Sequence, residues 1–214
     1  MRGETVALRP DLPDPKLIER AATLIKAGGV IVYPTETLYG IGADAGNADA
    51  LRRVYNIKGR EGAKPLLIIV DTFERMKPFV RQVTPEARSL MNVFWPGPLT
   101  LVFRASSSVS VELTAGTGTI GARVPSSDFC RALVRASGRP ITSTSANRAG
   151  NPTPNNIEEI RTAFSEGIDL FIDAGVLSAS APSTVVDVTT SPPRLLREGA
   201  VQWDHIERTL RQDS

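Results

Sequence analysis

The change of period at Gly28–Gly29 constrains this chain more than any other feature. Before it, "DPKLIERAATLIKAGG" sets Leu17, Ala21, Leu24 and Ile25 along one side of a helix, and Pro15 suits the first turn. The two glycines stop that helix. After them comes "VIVYPT", whose β-branched and aromatic residues suit an enclosed strand. Pro34 closes the strand, because proline has no N–H to give to a sheet. A helix running straight into a buried strand must lay its apolar face on a sheet. The chain therefore begins as an α/β layer.

The alternation continues. "NADALRRVYNIKGR" predicts a helix with Leu51, Val54 and Tyr55 on its apolar face and Ile57 close by. "PLLIIV" predicts a buried strand. "TPEARSLMNVFWPGP" predicts a helix opened by Thr84, Pro85 and Glu86 and stopped at Pro96–Gly97. "LTLVFRA" and "TIGARVP" read as strands, and "SSDFCRALVRASG" as a helix capped by Ser126 or Ser127. "NIEEIRTAF" is helical, "DLFIDAG" and "TVVDVT" are strands, "PRLLREG" is a short extended piece, and "WDHIERTL" is a closing helix. No internal repeat and no long Gly/Ser linker divides the chain. The expected fold is a single α/β domain over 12–200, a twisted mixed β-sheet with flanking helices. An irregular or short extended N-terminal extension precedes it at 1–11, and a C-terminal helix and tail follow at 201–214.

Composition removes several function classes. The 214 residues carry a net charge of +2, with no block of like charges resembling a nucleic-acid tail. One cysteine, Cys130, rules out a disulfide scaffold within the chain and makes a reducing, cytoplasmic setting the natural one. Its place in "DFCRALV" predicts a small buried hydrophobe. The N-terminus lacks the apolar run of a signal peptide, and no stretch approaches the ~20 apolar residues of a membrane span. One histidine and one cysteine cannot build a usual zinc site, so no metal ligand set is expected. The chain has neither "GxxxxGK[ST]" nor "GxGxxG", and His205 completes no familiar Ser–His–Asp spacing.

What remains is a set of polar segments just beyond strand ends. In "YPTETLYGIG", Thr35 and Thr37 share one side if extended, and Gly40 and Gly42 let a backbone approach closely. "KGREGAK" gathers Lys58, Arg60 and Lys64 around glycines, with Lys58 and Arg60 on one side of an extended turn. Lys58 is expected to be a loop side chain whose loss the fold survives. In "TIGARVPSS", Arg123 sits in an apolar strand with Thr119 on the same side, and must meet an anion or reach solvent. In "STSANRAGNP", Ser143, Ser145 and Asn147 alternate and point one way. "APSTVVD" and "LLREG" add Ser183, Thr184 and Arg197. Each segment alone also reads as ordinary structure: a Thr-rich turn, a solvated basic loop, a structural ion pair, a capped turn. Together they describe an anion-binding cleft of cations and hydroxyls. A Ser–Lys nucleophile using Ser143 or Ser145 with Lys58 is a further possibility.

At "KGR…KP", "TSTSAN" and "YPTETLYG" the chain resembles the YrdC/TsaC family, the L-threonylcarbamoyladenylate synthases. "FWPGPLT", "GARVP", "PSTVVD" and "LLREG" also match, and the likeness covers roughly residues 12–200. The resemblance implies a YrdC-like domain with a basic concave face. It implies a synthase that joins L-threonine, bicarbonate or CO2, and ATP into L-threonylcarbamoyl-AMP and pyrophosphate. Mg2+ would be held mainly through the ATP phosphates. A partner complex then transfers the threonylcarbamoyl group to adenosine 37 of tRNA, giving t6A. A longer relative carries a further C-terminal domain, for which this chain is too short.

By resemblance, Lys58 and Arg60 are catalytic and sit at the ATP phosphates, with Lys64 nearby. Thr119, Ser145, Asn147, Thr153 and Arg197 fall at nucleotide positions. Thr37, Arg123, Ser143 and Ser183 fall in the threonine pocket beside Thr35, with Arg123 on the carboxylate. One position departs: some members carry a histidine after the "PL" strand, where this chain has Ile69. Related YciO-like nucleotide- or RNA-binding proteins and carbamoyl-adenylate-forming enzymes share the fold, so another acyl group, another acceptor or direct RNA binding stays open.

Overall fold

The computed structural model of the protein describes residues 3–9, 14–59, 64–178 and 181–212. In chain order these form β1 (Glu4–Ala7), α1 (Pro15–Lys26), β2 (Ile31–Pro34), β3 (Tyr39–Gly42), α2 (Ala48–Lys58), β4 (Leu67–Ile69), α3 (Phe73–Met76) and a 3-10 turn (Lys77–Phe79). There follow α4 (Pro85–Phe94), β5 (Leu99–Arg104), α5 (Val111–Thr114), β6 (Thr119–Arg123), α6 (Asp128–Ser137), β7 (Ile141–Thr142) and β8 (Thr144–Ser145). The chain closes with α7 (Ile157–Ala163), β9 (Leu170–Asp173), β10 (Thr184–Asp187), β11 (Arg194–Arg197) and α8 (Trp203–Gln212).

Local chemistry sets the helix ends. The Asp14 carboxylate accepts from the Lys16 amide at 2.9 Å to open α1, and Pro15 takes the first position, where no amide is needed. Gly28, at φ 83°, and Gly29 return their amides to the carbonyls of Ile25 and Leu24 and close it. Asn47, Thr84, Ser127 and Asn156 cap α2, α4, α6 and α7 in the same way as Asp14.

The α/β class stands, but the strands divide between two mixed sheets instead of one. The five-stranded sheet runs β1-β9-β2-β3-β8 and the six-stranded sheet β11-β10-β5-β6-β4-β7. The segment expected to be irregular or short and extended at the N-terminus is β1, an edge strand parallel to β9. The more consequential difference lies in "ITSTS". Ile141 and Thr142 pair with β4, whereas Thr144 and Ser145 pair with β3. Ser143 is the crossing residue between the two sheets, and its amide donates to the Leu67 carbonyl at 2.8 Å.

Continuous apolar strands arise because both faces are covered. Along β2, Ile31 and Tyr33 face the core under α1 and α6, with Leu17, Ala21, Ile25, Phe129 and Leu133. Val30 and Val32 face the larger core with Ile41, Leu51, Val54, Leu101 and Phe171. β4 divides likewise, Ile68 to the larger core and Ile69 to the smaller. At the C-terminal end, Ile206 of α8 enters the larger core, and His205 meets the Phe94 ring edge-on at 5.2 Å. Cys130 is fully buried, its thiol donating to the Pro34 carbonyl at 3.3 Å. Among the described residues, no helix is long and apolar enough to cross a membrane.

Candidate active site

The crossing at Ser143 opens a cavity of about 530 Å³ lined by both sheets. Thr35 and Thr37 enter from the β2–β3 turn, and Gly40 from β3. Lys64, Pro65 and β4 form another wall, with Thr100 from β5 and Arg123 at the end of β6. Ser143, Thr144, Ser145, Asn147 and Thr153 follow the crossing strand, and Ser183 and Arg197 close the far side.

The charge of this wall is one-sided. Its lining holds three cations, Lys64, Arg123 and Arg197, and no carboxylate among the described residues. Arg123 is buried at 5% exposure, so its charge has little water to lean on. Arg197 reaches solvent, yet the surrounding protein desolvates its head group and lowers its pKa, and the neighbouring charge of Arg123 lowers it further. Two guanidiniums that feel each other across a cavity favour an anion between them.

Hydroxyls complete the wall. Thr35 Oγ1 accepts from the amides of Thr37 and Leu38, both at 3.1 Å, and donates to the Leu38 carbonyl at 2.7 Å. That small turn presents both threonines. Ser145 Oγ donates to Asn147 Oδ1 at 2.5 Å, and Asn147 Nδ2 donates to the Asn151 carbonyl at 2.6 Å. Arg197 Nη2 donates to the Ser183 carbonyl at 2.8 Å and to Ser183 Oγ at 3.2 Å. Ser183 Oγ also lies 3.0 Å from Thr100 Oγ1. Two glycines make room. A Cβ on Gly40 would sit 3.3 Å from Ser143 Oγ, and one on Gly199 only 2.0 Å from the Pro182 carbonyl oxygen.

Of the residues named from sequence, Thr35, Thr37, Lys64, Arg123, Ser143, Ser145, Asn147, Thr153, Ser183 and Arg197 line this one cavity. Thr119 does not; it opens β6 opposite Arg104, and its hydroxyl lies 2.9 Å from that of Thr117. Arg60 lies outside the described residues. Lys58 corrects the expectation of a loop side chain. It is the last residue of α2, is 2% exposed, and its Nζ donates to the backbone carbonyl of Ser145. The helix expected over "NADALRRVYNIKGR" reaches Lys58, and its αL cap falls at Gly59. For the Ser145–Lys58 form of the Ser–Lys nucleophile, Lys58 meets the Ser145 carbonyl and the Ser145 hydroxyl turns to Asn147.

Sequence reasoning also missed residues at the site. Thr100 is 1% exposed in β5, and its one signal is a hydroxyl inside the apolar run "LTLVF". Glu36 lies between the two threonines, and its Oε1 is 3.0 Å from Arg123 Nη1. Its signal is a lone charge in a turn that enters an apolar strand. Ile69, the departure noted above, belongs to the cavity wall and to the apolar core under α1 and α6.

A family model named for Sua5, YciO and YrdC, and described as telomere recombination, matches residues 23–199. The chain belongs to the Sua5/YciO/YrdC family. Within that family it is 37% identical over 193 residues to the threonylcarbamoyl-AMP synthase of Pyrococcus abyssi (strain GE5 / Orsay), which covers 90% of this chain and 57% of that protein. The crystal structure of P. abyssi Sua5 complexed with L-threonine superimposes with a TM-score of 0.92 at 35% identity, over 96% of this chain and 60% of that one. The E. coli YciO structure superimposes at 0.85 and 31% identity, over 94% and 97%. The chain thus spans 57% of the P. abyssi relative and 57% of a Bacillus subtilis relative.

Proposed function

We propose that this Sua5/YciO/YrdC protein is an ATP-dependent L-threonylcarbamoyl-AMP synthase. The observation that carries the reading is the cavity itself: three cations and a row of hydroxyls, with no carboxylate among its described lining. Such a wall suits reactants that all bring negative charge. The P. abyssi relative named for this activity and the Sua5 structure with L-threonine support the choice of substrate.

Arg123 takes the threonine carboxylate through a charge-assisted pair, with Thr35, Thr37, Ser143 and Ser183 around the amino acid. Lys64, Ser145, Asn147, Thr153 and Arg197 hold the nucleotide. Arg60, which lies outside the described residues, is assigned to the phosphates by the family resemblance, and Lys58 acts from beneath by holding the Ser145 carbonyl. Thr119, one strand length from Arg123, takes the outer part of the nucleotide. The cavity wall offers no carboxylate or imidazole among the described residues, so Mg2+ travels with ATP as the substrate complex, held by phosphates and water.

The neutral threonine amine attacks CO2, forming the N–C bond of an N-carboxylate and releasing one proton. A carboxylate oxygen of that group then attacks the α-phosphorus of ATP. Pyrophosphate leaves in line, and the products are threonylcarbamoyl-AMP and pyrophosphate. The protein forms no covalent bond. It positions two anions and offsets their repulsion, which makes orientation and charge stabilisation its main contributions. In a reducing cytoplasm the product passes to the complex that transfers the group to adenosine 37 of tRNA.

Mass detection of threonylcarbamoyl-AMP after incubation with ATP, L-threonine, bicarbonate and Mg2+ tests this reading. Pyrophosphate release should require both ATP and threonine. Release indifferent to threonine points instead to a YciO-like nucleotide-binding role, which the E. coli YciO match and the apolar Ile69 at the cavity favour. Tight, salt-dependent RNA binding without ATP binding would replace both readings with an RNA-binding one.

A further inference from the structure

We infer that Glu36 is the positioning residue of the amino-acid site, aiming the Arg123 guanidinium at the substrate carboxylate. The inference rests on the reading above, in which Arg123 receives that carboxylate.

The Glu36 side chain is 16% exposed, and both of its carboxylate oxygens are shielded from solvent and make no hydrogen bond among the described residues. Oε1 lies 3.0 Å from Arg123 Nη1, an ion pair outside hydrogen-bonding geometry. Glu36 is absent from the cavity lining, whereas Arg123 is part of it. The carboxylate therefore backs the guanidinium from the protein side and does not occupy the space of a ligand.

A shielded carboxylate with one partner is costly to keep, and so is a lone buried arginine. Each makes the other tolerable. The protein contacts of Arg123 are also concentrated on a single nitrogen. Nη1 meets Glu36 Oε1 and, at 3.4 Å, Thr37 Oγ1, while Nη2 and Nε have no hydrogen-bond partner among the described residues. Both partners of Nη1 come from the turn that Thr35 Oγ1 fastens. One edge of the fork is thus anchored to the β2–β3 turn. The other edge is left for a planar anion, which a guanidinium grips with two parallel N–H groups.

Removing the charge of Glu36 without changing its shape separates aim from attraction. If Glu36 only opposed the positive site, Glu36→Gln would tighten carboxylate binding. If Glu36 aims the fork, Glu36→Gln loosens it. The test compares L-threonine with L-threonine amide, which lacks the carboxylate charge, by equilibrium binding and as reaction substrates. The wild-type protein should prefer threonine by about tenfold or more, the worth of one charged hydrogen bond. Glu36→Gln should shrink that preference to roughly threefold or less while the KM for ATP stays within about twofold. Glu36→Asp, which keeps the charge, should recover part of the preference. General damage to the fold would weaken both ligands and ATP together and leave the ratio unchanged, which overturns the inference. An unchanged or increased preference in Glu36→Gln overturns it too. If the wild-type protein itself does not distinguish threonine from its amide, the assignment of Arg123 fails and takes this inference with it.

Discussion

Lys58 Nζ, buried at the end of α2, donates to the backbone carbonyl of Ser145, the strand residue that faces the cavity. A helix end and a binding edge are thereby joined by one ammonium. Lysine near a helix C-terminus also answers the partial negative charge of its carbonyls. Lys58→Ala removes one charged hydrogen bond, at a cost of about 1.5–3 kcal/mol, although the Ser145 carbonyl still accepts from the Asn147 amide at 2.9 Å. Urea unfolding should show this loss, and nucleotide affinity should fall with it because Ser145 and Asn147 move. Unaltered stability with abolished turnover would return Lys58 to direct contact with phosphate.

Thr100 and Ser183 share one hydrogen bond between buried hydroxyls, and Arg197 leans on the same serine. Ser183→Ala orphans the buried Thr100 hydroxyl, at about 1–3 kcal/mol, whereas Thr100→Val leaves Ser183 Oγ its contact from Arg197 and costs less. The double variant orphans nothing further at that contact. Its destabilisation should fall short of the sum by at least about 0.5 kcal/mol in denaturant titrations. Strict additivity would mean that the two hydroxyls do not depend on each other.

Gly199 lets the 197–199 segment lie against Pro182 and Ser183, and a Cβ there would meet the Pro182 carbonyl oxygen at 2.0 Å. Gly199→Ala must push the segment outward. The expected cost is about 1–3 kcal/mol, the scale of overpacking. Arg197 would lose its hold on the Ser183 carbonyl, so ATP binding by calorimetry should weaken more than threonine binding.

Alkaline stability follows from groups kept protonated by burial. Burial pushes the Cys130 thiol up from 9.0 to about 12 and the Tyr39 phenol from 10.0 to about 12, and it raises Tyr33 as well. In the folded chain these groups hold their protons where the unfolded chain has released them. The stability they contribute is complete below the unfolded pKa and is lost as pH rises through the folded one. Chemical unfolding should therefore be level from neutrality to pH about 9 and weaken above it, with Cys130→Ala delaying the onset toward pH about 10. At pH about 8 the native thiol should resist alkylation and react only after unfolding. Rapid native labelling would show that Cys130 is accessible.

Much of this protein is decided locally. The helix stop at Gly28–Gly29, the Asn47, Thr84 and Ser127 caps, and the two-sided apolar runs at 31–34, 67–69 and 170–173 depend on neighbours a few residues away. Periodicity alone conveys such features, because residue type and backbone step are both short-range. The division into two sheets is another matter. Nothing in "ITSTS" announces that Thr142 pairs with Ile68 and Ser145 with Gly40, since strand pairing is chosen by distant partners. The burial of Lys58, the Thr100–Ser183 contact and the Glu36–Arg123 pair likewise join segments more than 80 residues apart. Charge and hydroxyl content were written in the chain, but which cation faces an empty wall and which faces a carboxylate was settled only when folding removed water from between them.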